Sequence, residues 1–126
     1  MPHFIIEYTP NLRDLPLDAM LSAVAHRLAG SPHVQDEADL KGRAVRADAF
    51  RVGLSDQRGF IHVTVRILAG RSSAAKQDFS QRVVEGMLEH MPAFDASLTV
   101  HLSVEVVDMD RESYRKVRLS PAAKDR

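Results

Sequence analysis

The sequence predicts an α+β fold: a fused pair of β-α-β units that together form a four-stranded sheet with two helices on one face. Three observations carry this. Residues 60–68 form an unbroken strand pattern in which Ile61, Val63, Val65 and Ile67 alternate with His62, Thr64, Arg66 and Leu68. Leu17, Met20, Leu21, Val24, Ala25 and Leu28 recur at the spacing of one helical stripe. The order strand, helix, strand then occurs twice, and aligning Pro2 with Gly59 gives an offset of 57 residues.

The elements follow in chain order. The apolar start, Phe4, Ile5, Ile6 and Tyr8, reads as a first strand. Thr9, Pro10 and Asn11 form a loop, and Asp14 with Pro16 favours the start of the first helix, which Gly30 and Pro32 end. Residues 33–40 are polar and read as loop. From Lys41 to Gly53 alternation is loose, but Val45, Phe50 and Val52 suggest a strand, followed by a turn over 55–59. After the strand at 60–68, Gly70-Arg71-Ser72-Ser73 supplies a serine N-cap for a second helix over 74–90, with Phe79, Val83, Val84, Met87 and Leu88 on one side. Residues 98–107 alternate cleanly, which describes a half-buried strand. The charged remainder, 109–126, reads as a C-terminal arm.

Long strands joined through a helix suit parallel crossovers, so each half is expected to hold a parallel pair. Both helices then lie on one face of the sheet. The opposite face, with alternate apolar residues of the last strand upon it, is expected to need cover from other copies of the chain.

At 126 residues the chain suits a single domain of pseudo-repeats about 2–53 and 59–108, burying roughly two thirds of its unfolded surface. Seventeen basic residues balance seventeen acidic ones, so no long-range field favours nucleic acid or an acidic membrane. Any anion site must be local. The absence of cysteine excludes disulfides, thiolate nucleophiles and Cys-based zinc sites. With no basic-plus-apolar leader and no apolar run near membrane-spanning length, a cytoplasmic location is expected.

The chemistry concentrates at the start of the chain. A proline following the initiator methionine permits trimming of Met1, which would leave Pro2 as a secondary amine at the head of a strand. An α-amino group titrates at about 7.7–8.0, roughly 2.5 units below lysine, close to where a general base works best. With Met1 retained, the Pro2 nitrogen is an amide and cannot take a proton. The six histidines show no close pair at ligand spacing, so no metal site is expected, and His62 and His101 read as satisfied interior or interface groups.

Two stretches carry a family resemblance. Pro2-His3-Phe4-Ile5-Ile6-Glu7 resembles a mature N-terminus of the tautomerase superfamily, within it the 5-carboxymethyl-2-hydroxymuconate delta-isomerase family, and residues 60–72, ending Gly70-Arg71-Ser72, resemble that family's second long strand and turn. The second stretch is also similar to the start of the short 4-oxalocrotonate tautomerase chain. The resemblance implies a homotrimer in which Pro2, as free amine, shuttles a proton on an unsaturated di- or tricarboxylate dienol from aromatic catabolism of the homoprotocatechuate type. It implies no metal or organic cofactor.

Such a reaction asks for a base near neutrality, cations for the carboxylates and a donor for charge developing on the 2-oxygen. Guanidinium matches carboxylate geometry. Arg71, in a glycine-flanked turn at a helix N-terminus, is the first candidate substrate cation. The family's arginine pair entering the strand after the first helix corresponds to Lys41 and Arg43, with lysine replacing the first arginine. The first repeat has Thr9-Pro10-Asn11 where the second has Gly-Arg-Ser, so one site per chain is expected. The competing readings are a related decarboxylase or hydratase, for which Glu7 or Tyr8 is the nearby extra group, and a non-catalytic oligomeric binding module.

Overall fold

The computed structural model describes residues 2–121, and the order of its elements is β1 (His3–Tyr8), α1 (Leu17–Ala29), a 3-10 turn (Glu37–Asp39), β2 (Lys41–Arg46), β3 (Arg58–Leu68), α2 (Ser73–Glu89) and β4 (Thr99–Met109). The sheet runs β2-β1-β3-β4. β1 pairs parallel with β2 and β3 parallel with β4, while β1 and β3 meet antiparallel at the centre. Each half is therefore a parallel crossover, and the two are joined back to back. The fold is α+β, and no helix among the described residues is long and apolar enough to cross a membrane.

One core lies between sheet and helices. Phe4 and Ile6 of β1 and Ile61, Val63, Val65 and Ile67 of β3 pack with Met20, Val24 and Leu28 of α1 and Phe79, Val83 and Met87 of α2. Each of these side chains is buried. The stripes read from the sequence are the faces that meet here. Ser72 caps α2 by accepting the Ala75 N–H through its hydroxyl. Pro16, at the start of α1, makes no side-chain cap bond.

Three expectations change. The apolar residues of β4 do not lie on the uncovered face: Leu102 pairs with Ile61, Val104 with Val63 and Val106 with Val65, so they extend the core on the helix side. The open face carries His3, Arg43, His62, Arg66, Ser103 and Glu105 instead, as strand alternation requires. There His62 bridges Ser103 at 2.7 Å and Glu105 at 2.8 Å, whereas His101 is exposed. Second, β2 stops at Arg46, because β1 offers only six residues to pair with it; Phe50 and Val52 fall outside any strand. Third, Gly59 belongs to β3 rather than to the preceding turn. Of the C-terminal arm, residues 122–126 lie outside the described part of the chain, as does Met1.

Candidate active site

Pro2 is buried at the head of β1. Its carbonyl accepts the Lys41 N–H at 3.1 Å, which ties the start of the chain to the start of β2. It lines a cavity of about 70 Å³ with Val34, Gln35, Asp36, Asp39 and Arg71. The wall from Val34 to Asp39 is the polar segment between α1 and β2. Asp36 shapes it by accepting the Ala38 N–H at 3.0 Å, an N-cap for the 3-10 turn.

Arg71 reaches Pro2 from the other half of the chain. Gly70 turns out of β3 with φ of +108°, a conformation that glycine adopts without a Cβ penalty, and Arg71 and the Ser72 cap follow. The guanidinium is held in two ways: Nη1 donates to the His33 carbonyl at 2.6 Å, and its carbon sits 5.8 Å from the centre of the Phe79 ring. A cation fixed by a carbonyl and a ring face keeps further N–H donors for an anion.

Lys41 and Arg43 separate. Lys41 Nζ donates to the Asp39 carbonyl at 3.2 Å and lines a second cavity, of about 180 Å³, that shares Asp36 and Asp39 with the first. Arg43 lies on the open sheet face, its Nη1 3.4 Å from His3 Nδ1. A guanidinium can only donate, so the His3 proton resides on Nε2, which donates to the Tyr114 hydroxyl at 3.0 Å. Burial, then the positive charges of Arg43 and Lys41, hold the His3 pKa below its usual value.

The C-terminal arm closes the second cavity with Lys116, Val117 and Arg118. Lys116 Nζ meets the Asp39 carboxylate at 2.5 Å. That bond lowers the pKa of Asp39 and raises that of Lys116, so the pair is charged at neutral pH. Glu7 and Tyr8 stand at the far end of β1, about 17 and about 20 Å along the strand from Pro2 at roughly 3.3 Å per residue, so neither reaches this site within the chain.

Of the four residues picked out from the sequence, Pro2 and Arg71 line the first cavity, Lys41 lines the second, and Arg43 stands apart on the open face. Sequence reasoning missed Asp36 and Asp39, although two carboxylates just ahead of a strand that starts with Lys41 were a legible signal, and it missed Lys116 and Arg118, which no local pattern marks.

Residues 2–121 match the 5-carboxymethyl-2-hydroxymuconate isomerase family. The 5-carboxymethyl-2-hydroxymuconate Delta-isomerase of Escherichia coli is 29% identical over 112 residues, which are 86% of this chain and 87% of that protein. Among solved structures, a 5-carboxymethyl-2-hydroxymuconate isomerase from Deinococcus radiodurans R1 superposes with a TM-score of 0.83 at 24% identity, covering 99% of this chain and 94% of that one. A fused 4-OT solved as a symmetric trimer superposes with a TM-score of 0.70 at 15% identity, covering 98% and 99%. The matched residues run from Pro2 through both halves and the described arm, and on that ground the chain belongs to the 5-carboxymethyl-2-hydroxymuconate isomerase family.

Proposed function

We propose that this isomerase moves a proton on an unsaturated polycarboxylate dienol such as 5-carboxymethyl-2-hydroxymuconate, with the Pro2 amine as general base and then general acid. The observation that carries the reading is a buried proline at a strand head sharing a small cavity with a pinned arginine. After removal of Met1, the amine accepts a proton from the dienol and returns it to carbon, so the ketonised product and the free amine emerge together. Arg71 binds a substrate carboxylate, and its charge disfavours the Pro2 ammonium, keeping the amine in its basic form. Lys41, in the adjoining cavity, serves the carboxylate of the carboxymethyl arm. Arg43 orients His3 and stands one step back from the substrate.

The chain acts as one tautomerase-like domain of two repeats, as a homotrimer in the cytoplasm, on an intermediate of homoprotocatechuate-type catabolism. Support for the trimer comes from the fold shared with the fused 4-OT trimer.

The test is ketonisation of 5-carboxymethyl-2-hydroxymuconate followed in the ultraviolet, after intact mass has confirmed that Met1 is absent. Pro2→Ala is expected to lose about a hundredfold or more in kcat, the scale of a lost general base. A variant as fast as wild type overturns the proline mechanism.

A further inference from the structure

We infer that the C-terminal arm builds a carboxylate pocket that selects substrates carrying an acid group remote from the reacting end. The inference deepens the reading above and rests on it for the substrate class. The second cavity, of about 180 Å³, brings Lys41, Lys116 and Arg118 together against Asp36 and Asp39. Three cations against two carboxylates leave one net positive charge, which matches one further carboxylate.

The three cations are not equivalent. Lys116 is committed to Asp39 at 2.5 Å, and Lys41 spends one donor on the Asp39 carbonyl. Arg118 makes no hydrogen bond or ion pair within the described chain, so its planar fork is the donor set open to a bidentate anion. The Lys116–Asp39 bond offsets a carboxylate that would otherwise repel the ligand. The arm is held in place at a second point, where the Tyr114 hydroxyl meets His3, the residue next to Pro2.

Location ties the pocket to the reaction. Asp36 and Asp39 wall both this cavity and the one that holds Pro2, and the Lys41 backbone is bonded to Pro2 itself. A substrate with its reacting carbons at Pro2 and one carboxylate on Arg71 would place a carboxylate on a short side arm into the second cavity. A plain dicarboxylate leaves that cavity empty.

The test compares calorimetric binding of two unreactive acids, hexa-2,4-dienedioate with two carboxylates and its carboxymethyl-substituted analogue with three. Wild type is expected to prefer the tricarboxylate. Arg118→Gln is expected to weaken tricarboxylate binding about tenfold, or about 1.4 kcal/mol, while dicarboxylate binding stays within twofold, and adding Lys116→Gln is expected to weaken the tricarboxylate further. Arg118→Lys recovers part of the preference. Equal losses for both acids, or an unchanged tricarboxylate affinity in the double variant, overturn the pocket. The proline reading falls by a different result, turnover that persists in Pro2→Ala, so the two failures are distinguishable.

Discussion

At the head of β1 the chain leaves a cavity; at the head of β3, 57 residues on, the corresponding space is filled. Pro2 has Arg71 across a small void, brought there by the loop that follows β3. Gly59 has the loop that follows β1 packed directly against it. The Thr9 hydroxyl donates to Asn11 at 2.7 Å and accepts the Phe60 N–H at 3.1 Å, and the Asn11 amide donates to the Arg58 carbonyl at 2.9 Å. Leu12 completes the plug, with Thr9 and Leu12 both buried. The two strand heads have the same surroundings in topology and opposite chemistry. Once Met1 is removed, as proposed, the first strand head carries a free amine, whereas a strand head in the middle of a chain carries an amide, and no base can be made of it. On the proposed reading, a fused pair of repeats has one site per chain, and its other strand head is structure.

Away from the strand heads the halves are matched. Phe4 and Ile61 correspond, as do Ile6 and Val63, and all four are buried in one core. The largest effect follows from that shared core. Ile61→Ala is expected to cost about 2–5 kcal/mol in urea unfolding, as large-to-small changes in a closed core do. Because the core is common, circular dichroism and Pro2-dependent activity should vanish at the same urea concentration. Activity lost well before the dichroism would mean that the first half opens alone, and the matched-core description would fail.

A middle-sized effect probes the plug. A Cβ on Gly59 would lie 2.8 Å from Leu12 Cδ2, 2.8 Å from Thr9 Oγ1 and 2.9 Å from Asn11 Oδ1. Gly59→Ala is therefore expected to cost about 1–3 kcal/mol through overpacking. Removing part of the wall should return some of this, so Gly59→Ala with Asn11→Ala should be less destabilised than the two single changes added together. Strict additivity would show that the wall yields elsewhere and that the space is not filled as described. The kcat of Gly59→Ala measured below its unfolding midpoint should match wild type, since the plug lies at the pseudo-equivalent head and not at Pro2.

What the sequence made legible tracks how local each contact is. The helix stripes, the alternation in β3 and β4 and the Ser72 cap all depend on neighbours within a few residues, and the structure reproduces them with shifts of one or two residues at the ends. The direction of the β4 apolar face was not local. It depends on register with β3, where Ile61 faces Leu102, and alternation alone cannot say which side a half-buried strand turns to the helices. The site divides in the same way. Pro2 and Arg71 were legible because each sits in a short motif with its own chemical logic. Asp39 meets Lys116 across 77 residues and His3 meets Tyr114 across 111, and those contacts leave no periodic trace in a polar segment. Charged stretches such as 33–40 and 109–121 look alike to any pattern whether they face solvent or wall a site.

The smallest effect separates the two strands at the residue following each head, where His3 in the first half corresponds to Phe60 in the second. Burial and the neighbouring Arg43 and Lys41 charges hold the His3 pKa below its usual value near 6.5, so the folded chain resists a proton that the unfolded chain accepts. With the folded pKa depressed, stability is indifferent to this group above about pH 6.5 and falls as pH drops below it, levelling only once His3 is protonated in the folded state as well. Protonation also places a hydrogen on Nδ1, where Arg43 now donates, so the Arg43 bond is lost and two positive charges face each other. His3→Gln is expected to flatten the fall in urea midpoint between pH 7 and pH 5.5 relative to wild type, and Phe60→Leu to leave it unchanged. Parallel pH profiles for wild type and His3→Gln would show that the histidine is not held neutral by its surroundings, and the Arg43–His3–Tyr114 chain would then lose its role in holding the arm against the first strand.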